Sequence, residues 1–295
     1  MQNQSEKYSV EQESSLLDFL AGKYPQSSKS ALKKMISHGS VSVNNKTIRN
    51  PAALLSKGDA VSYTRHTMVA RSNAPFRLIF EDDSIIIIDK PAGLLTYGEK
   101  GTSGTSAYKE LKDYLSSAAK ARVELYVVHR LDREVSGILM FAKSEEIQEQ
   151  LKDSWQEFTK KYRALAEGRV QQKSGTMKSW LSDSVDYKVR SGPEREGARL
   201  AETTFEIIKL LDRHTFLELQ LITGRKNQIR VHLADMGHPV VGDRRYGADA
   251  RWERRIRLHA CYLRIRHPKS GEWLEFHSEL PRGFLLLRPE HEKYK

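Results

Sequence analysis

From Ser14 onward, apolar residues first recur with helical spacing and then begin to alternate. Leu16, Leu17 and Leu20 predict one face of a short helix. Ser30 to Ser37 predicts a second, with Ala31, Leu32, Met35 and Ile36 inward and Lys33 and Lys34 outward. Gly39 stops it. Val41-Ser42-Val43 alternates as a strand does, Asn44-Asn45 is a turn signal, and Gly58-Asp59 marks another turn before Val61-Ser62-Tyr63. These features predict a small unit over residues 14–63. Residues 1–13 carry no such pattern and read as a flexible tail. Residues 64–75 are polar, end in Ala74-Pro75, and read as a linker.

A longer unit is predicted over residues 76–295. Ser84 to Asp89 contains four consecutive isoleucines, which suits a strand buried on both faces. Asp89-Lys90-Pro91-Ala92-Gly93 then supplies turn geometry. Tyr126-Val127-Val128 and Gly137 to Ala142 read as strands. Ser144 suits an N-cap, with Glu145 and Glu146 favourable in the first turn, and Ile147, Leu151, Trp155 and Phe158 fall on one helical face. Residues 170–200 are polar and Gly-containing and suit hairpins or a surface excursion. Phe216 to Ile222 alternates with Leu217, Leu219 and Leu221 inward, and Asn227 to Met236 reads as a helix stopped by Gly237. No internal repeat is evident, and the mixture of elements indicates an α+β fold.

Charge narrows the class of partner. The 295 residues hold 49 Lys and Arg against 38 Asp and Glu, a formal charge of +11, which favours a polyanion. Within residues 14–63 seven basic residues face two acids. A single cysteine, Cys261, excludes a disulfide framework within the chain and fits a reducing compartment. No apolar run approaches the roughly 18 residues of a membrane span and no signal-peptide pattern is present, so a cytoplasmic protein without membrane contact is expected. His and Cys do not cluster at metal-ligand spacings, and no metal is expected.

Three stretches carry candidate chemistry. His129-Arg130-Leu131-Asp132-Arg133-Glu134-Val135-Ser136-Gly137 lies between two predicted strands, a place where rigid elements present functional loops. Arginines on both sides of Asp132 favour its carboxylate form. Spacing alone leaves open whether this is a reactive carboxylate or a salt-bridged surface loop. The second stretch, Leu221 to His232, joins a strand to a helix. Thr223 suits its cap, the helix start suits an anion, and Arg225 and Arg230 suit bidentate contact with phosphate or carboxylate. His232 and His238 are spaced poorly for two ligands on one helical face and read as packing or RNA contacts. Gly237 to Gly247 is a turn-rich loop.

The small unit resembles the alpha-L RNA-binding module of ribosomal proteins and RNA-modifying enzymes, through Ser30, Ile36, Gly39, Val41, Val43, Asn44, Gly58 and Asp59. The resemblance implies an RNA contact face that includes Lys29, Lys33 and Lys34. From about Phe76 to Pro281 the chain resembles the RluA-type pseudouridine synthases. The resemblance runs through the Asp89–Gly93 turn, the His-Arg-Leu-Asp loop, Lys161-Tyr162-Arg163-Ala164, Ala201 with Thr203, the Thr-Gly-Arg to Gly-Asp series, Leu258-His259-Ala260 and the Pro268 segment. It implies a catalytic domain with a central mixed, mainly antiparallel sheet flanked by helices and loops.

By that resemblance Asp132 is the catalytic aspartate, Tyr162 packs against the target base, and Arg225 pairs with the aspartate. Arg130 enters the RNA where the base has left, and Ile229 lines the pocket. Taken alone, Tyr162 and Ile229 read as core residues. Two positions depart from the family pattern: Val135 stands where threonine is usual, and Asn227 where histidine is usual. Valine loses a hydroxyl, and asparagine cannot carry a proton near neutral pH. The implied reaction isomerises uridine to pseudouridine, without redox change or group donor, and needs no cofactor. Large-subunit ribosomal RNA is the implied substrate, with transfer RNA and a non-catalytic RNA-binding assembly factor as alternatives. A monomer is expected.

Overall fold

An apolar cluster of Val10, Leu16, Leu20, Leu32, Ile36, Val41, Leu55 and Val61 organises the first of two units into which the chain divides, Met1–Met68 and Val69–Lys295. The structure, a computed structural model, describes all residues except 1–4, 26–28, 30–31, 34–35, 37–40, 45, 65–73, 99–104, 120–122, 185, 187, 250, 252–254 and 287–295. In the first unit the strands are β1 (Ser5–Ser9), β2 (Ser14–Ser15), β3 (Val41–Val43), β4 (Lys46–Thr47), β5 (Leu54–Leu55) and β6 (Ala60–Thr64). Their order is β1-β6-β3-β4, with β2 and β5 paired separately. Helix α1 (Leu16–Lys23) starts where Ser15 accepts a hydrogen bond from Asp18 N, and it buries Leu16 and Leu20.

Residues 1–13 are not simply a tail. Strand β1 pairs antiparallel with β6 from Ser5↔Thr64 to Ser9↔Ala60, Val10 is buried, and the Tyr8 ring meets Phe19 edge-on at 6.5 Å. An edge strand is held by backbone hydrogen bonds and needs little apolar pattern of its own, so its polar sequence hid it. Ala31, Met35, Lys34, Gly39 and Asn45 and most of the expected linker lie outside the described residues. Asn44 carries a positive φ of 50° at the expected turn.

The second unit holds β7 (Arg77–Glu81), β8 (Ile85–Lys90), β9 (Tyr126–Val127), β10 (Ser136–Ala142), β11 (Thr159–Glu167), β12 (Ser174–Asp183), β13 (Val189–Gly192), β14 (Arg199–Leu210), β15 (His214–Leu221), β16 (Leu258–Arg266) and β17 (Trp273–His277). All eleven form one sheet, ordered β13-β12-β14-β15-β11-β16-β10-β8-β7, with β9 beside β10 and β17 beside β16. Every pairing among these strands is antiparallel except β10 with β16. The four isoleucines explain why both sheet faces are covered. Ile86 and Ile88 join one apolar cluster, Ile85 and Ile87 the other, and all four are fully buried. Each contributes roughly 2–3 kcal/mol of transfer free energy.

Helix α2 (Ala107–Ala119) packs Ala107, Leu111 and Leu115 into the first cluster. Helix α3 (Glu145–Asp153), capped by Ser144, packs Ile147 and Leu151 into the second. The expected helical stripe through Trp155 and Phe158 is cut short at Asp153. Both rings still join the cluster from the turn that leads into β11. Helix α4 (Gln228–Asp235) buries every residue from Gln228 to Leu233, so it stands inside the fold and not on its surface. Among the described residues no helix is long and apolar enough to cross a membrane.

The one parallel pairing sits where Gly137 meets Ala260. Gly137 has φ +115°, and a Cβ there would lie 2.2 Å from the Ala260 carbonyl oxygen. A Gly137→Ala variant is expected to lose about 3 kcal/mol or more, from backbone strain and steric displacement together. Urea unfolding of the variant and the wild type measures this. Equal midpoints would show that β16 can shift freely, contrary to the geometry.

Candidate active site

Asp132 stands in the loop between β9 and β10, and its backbone is suspended from the turn that follows β8. Thr96 Oγ1 donates to the Leu131 carbonyl at 2.8 Å and accepts from Leu131 N at 3.0 Å. Gly93 N donates to the Arg133 carbonyl at 2.7 Å, and Arg133 Nε donates back to the Gly93 carbonyl at 3.0 Å. Gly93 adopts φ +92°, which suits glycine at this turn. Beneath both turns lies Lys90, fully buried, whose Nζ donates to the carbonyls of Leu94, Pro91 and Arg133 at 2.7, 3.1 and 3.3 Å. Burial pulls the Lys90 ammonium down to about 8, against the opposing charges of Asp132 and Glu134. Residues on both sides of Asp132 are therefore fixed by backbone contacts before its side chain meets any partner.

That partner is Arg230 on α4. Arg230 Nη1 donates to Asp132 Oδ2 at 2.9 Å. The side chain of Arg230 is 7% exposed, and that of Asp132 is 29% exposed. On its other edge the same guanidinium meets Asp243 as a fork, Nε to Oδ2 at 2.6 Å and Nη2 to Oδ1 at 2.9 Å. Asp243 itself is 1% exposed. Burial alone would lower the Arg230 pKa, but the two carboxylates raise it further, so the guanidinium stays charged. Asn227 Oδ1 takes another Nη1 hydrogen at 3.1 Å, and the Tyr246 ring centroid lies 5.1 Å from Arg230 Cζ.

This geometry corrects three expectations. The cation on Asp132 is Arg230, not Arg225, whose Nε donates to the Leu200 carbonyl at 3.1 Å. Arg230 is buried between carboxylates and is unavailable as a phosphate ligand. Thr223 does not cap the helix. Its hydroxyl donates to Gln228 Oε1 and accepts from Glu202 N, while the helix begins after Asn227 in a left-handed conformation with no side-chain cap. The arginines adjacent to Asp132 also serve elsewhere, Arg133 through Gly93, while Arg130 is exposed. An eight-residue helix placed by an αL residue sets which arginine points inward, and motif spacing does not reveal that.

Tyr162 lies at a bulge where β11 shifts register against β16, a device that re-aims a side chain. It is partly buried against the first apolar cluster. Its phenol pKa is raised, first by burial and then by the Asp132 charge, so it is neutral and close enough to feel that carboxylate. Ile229 is buried in the same cluster, as are Leu131 and Val135. The hydroxyl lost at Val135 therefore faces an apolar setting that does not require it. His232 is a packing residue, bonded through its ring to Thr203 and Ser179 at 3.0 and 3.1 Å. Lys29 and Lys33 are exposed helical residues of the first unit.

Lys90, Thr96, Asp243 and Tyr246 are contributions that the motifs did not single out. For Asp243 the signal was present, an acid inside a turn-rich loop otherwise crowded with arginines. A cavity of about 810 Å³ is lined by Lys90, Gly93, Glu134, Ser136 and Arg255 among others, and not by Asp132, Tyr162 or Arg230. Among the described residues no group of three or more His, Cys, Asp or Glu side chains is arranged to hold a metal ion.

Residues 84–235 match the RNA pseudouridylate synthase family, and residues 15–61 match the S4 domain. An uncharacterized RNA pseudouridine synthase of Aquifex aeolicus is 33% identical over 94% of each chain. Ribosomal large subunit pseudouridine synthase D of Escherichia coli is 30% identical over 94% of this chain and 91% of its own. Human RNA pseudouridylate synthase domain containing 4 is similar in fold, with a TM-score of 0.59 at 23% identity over 70% of this chain and 90% of its own.

The loop also carries an acid-sensitive support. His129 Nε2 accepts from Met140 N at 3.0 Å, and its ring stacks on Trp155 at 4.7 Å. Burial, helped by the Lys160 charge, pulls His129 from 6.5 to about 3. Between those pH values the unfolded chain binds a proton that the native one does not. Its stabilisation is therefore complete above pH 6.5 and is lost as pH falls toward 3. His129→Gln is expected to flatten the acid limb of stability by up to about 1.4 kcal/mol per pH unit. Denaturant midpoints at pH 7, 5.5 and 4 for the two proteins check it, and parallel curves would reject it.

Proposed function

The chain belongs to the RNA pseudouridylate synthase family, and on that premise we propose that it acts on large-subunit ribosomal RNA with Asp132 as the reacting carboxylate. It is an isomerase whose substrate is RNA. The observation that carries the assignment is the asymmetry of Asp132. Among the described residues its ion pair engages Oδ2 alone, and the side chain stays partly exposed, whereas Asp243 on the far edge of Arg230 is sealed and doubly bonded. A purely structural bridge needs no such difference. A carboxylate that must meet a substrate does, because one oxygen is held while the other is left for the incoming ribose.

The reaction breaks the bond between ribose C1′ and uracil N1, turns the base, and joins C1′ to C5. The C5 hydrogen leaves as a proton and N1 gains one, so atoms balance with no external reactant. Asp132 acts either by attack on C1′ or by promoting a glycal, and both routes need it ionised beside Arg230. The target nucleotide must leave its stack to reach Asp132, at a cost of a few kcal/mol offset by stacking and phosphate contacts. Tyr162 offers a neutral ring beside the carboxylate for the turned-out base. Arg130, exposed and one residue before Leu131, fills the gap left in the RNA in this reading. Arg225 supports the loop ahead of α4 through Leu200.

The ribosomal target rests on the names of the relatives, which include large-subunit enzymes, and on the S4 domain in front, whose Lys29 and Lys33 supply exposed cations. In a strain lacking the gene, carbodiimide labelling with primer extension across ribosomal RNA is expected to show a missing pseudouridine, restored by the wild-type protein and not by Asp132→Asn. Full restoration by Asp132→Asn would remove Asp132 from its role. An unchanged ribosomal map in the deletion strain would remove the ribosomal target.

A further inference from the structure

Arg230 can hold Asp132 in a productive direction only if the guanidinium plane is itself fixed. Asp243 binds one edge of it and defines one axis, about which the plane remains able to rock. Two side chains outside the reaction described above remove that freedom. Asn227 Oδ1 accepts from Arg230 Nη1 at 3.1 Å, and Asn227 Nδ2 donates to the Tyr246 hydroxyl at 3.0 Å. The same hydroxyl oxygen accepts from Val189 N at 3.2 Å, and the Tyr246 ring lies by the guanidinium, 5.1 Å from Arg230 Cζ. The amide orientation is settled by chemistry, because arginine has no acceptor and must face the asparagine oxygen.

We propose that Asn227 and Tyr246 are positioning residues for Asp132, acting through Arg230 by closing a brace of Asn227 amide, Tyr246 hydroxyl and Val189 backbone around the guanidinium. The inference rests on the reading of Asp132 as the reacting carboxylate. Asparagine meets two requirements at this position. It sits at φ 54° and ψ 16°, a left-handed conformation that asparagine adopts at less cost than most residues. That conformation sets the start of α4 and leaves the amide three residues ahead of Arg230, within reach of Nη1. Asparagine carries no proton near neutral pH, so its contribution is geometric. A small misplacement of reacting groups costs up to about a hundredfold in rate. The brace therefore acts on kcat and leaves KM for RNA alone.

The test uses the full-length protein and ribosomal RNA from the deletion strain labelled with 5-tritiated uridine, with turnover read as tritium released from C5. Asn227→Gly keeps the left-handed backbone and deletes the amide. It is expected to lower kcat by roughly tenfold to a hundredfold, with KM within about twofold of wild type. Asn227→Asp retains an acceptor for Arg230 and is expected to recover part of that loss. Tyr246→Phe keeps the ring and removes the hydroxyl, and it is expected to lower kcat less. The double variant Asn227→Gly, Tyr246→Phe is expected to be no slower than Asn227→Gly alone, since both act through one brace.

Assays run well below each variant's Tm, so a stability loss alone does not reach kcat. Wild-type kcat in both single variants overturns the inference, and so does a raised KM with unchanged kcat. If Asn227→Gly does not fold, the near-isosteric Tyr246→Phe decides by the same criteria. Asp132→Asn in the same assay separates the two levels. Turnover by that variant sinks the catalytic reading itself, whereas an inactive Asp132→Asn beside fully active Asn227→Gly and Tyr246→Phe sinks only the brace.

Discussion

A buried guanidinium held between two carboxylates of unequal exposure organises this molecule. Removing a cation from water costs several kcal/mol, and one partner rarely compensates for that loss. Arg230 meets the constraint with two: Asp243 takes the fork in the interior, and Asp132 takes the remaining direction toward solvent. The sealed pair fixes the cation, and the cation fixes the exposed acid. Electrostatic preorganisation of this kind places a charge before substrate arrives, so the rearrangement cost is met during folding and not during reaction. Tyr162 belongs to the same field, since the Asp132 charge helps keep its phenol neutral.

The loop that presents Asp132 is fixed by different means. Its contacts to Gly93, Leu94 and Thr96 are made mostly by backbone groups and a buried ammonium, so its path depends on few exposed side chains. Lys90 does what a hydrophobic residue in its place would not. It gathers three carbonyls from two turns, joining that of Arg133, which Gly93 N also meets, to those of Pro91 and Leu94. Ser136 adds a bond to His259 at 2.9 Å, tying the start of β10 to β16 on the same side. The carboxylate thus sits on a frame, and the frame sits on the sheet.

Much of the fold was legible in the chain. Four isoleucines in a row can only satisfy a strand covered twice, and Ser144 with two glutamates marks a helix start that the structure places where expected. Strand β1 was not legible, because an edge strand draws its stability from the partner's hydrogen bonds and leaves little trace in its own residues. The site was half legible. Asp132 stood out between arginines, but those arginines do not bind it, and its true partner lies 98 residues away. Choosing Arg230 over Arg225 requires knowing that α4 starts at Asn227 in a left-handed turn, a property of three dimensions. Asp243 stood out as an acid among arginines in a turn, but nothing local tells that the cation it neutralises is Arg230 on α4 and not a neighbour in the loop.

The place of β16 in the sheet has a consequence for synthesis. Strands β7, β8 and β10, with the loop bearing Asp132, form one side of the sheet. Strands β11 to β15 form the other, and α4 with Arg230 packs on them. Among the described residues only β16, which reaches Arg266, is hydrogen-bonded to both sides. A ribosome translating this message therefore releases two half-sheets that have no strand in common until the closing strand clears the exit tunnel. The acid and its cation are born on separate pieces, and their ion pair spans the join that β16 makes.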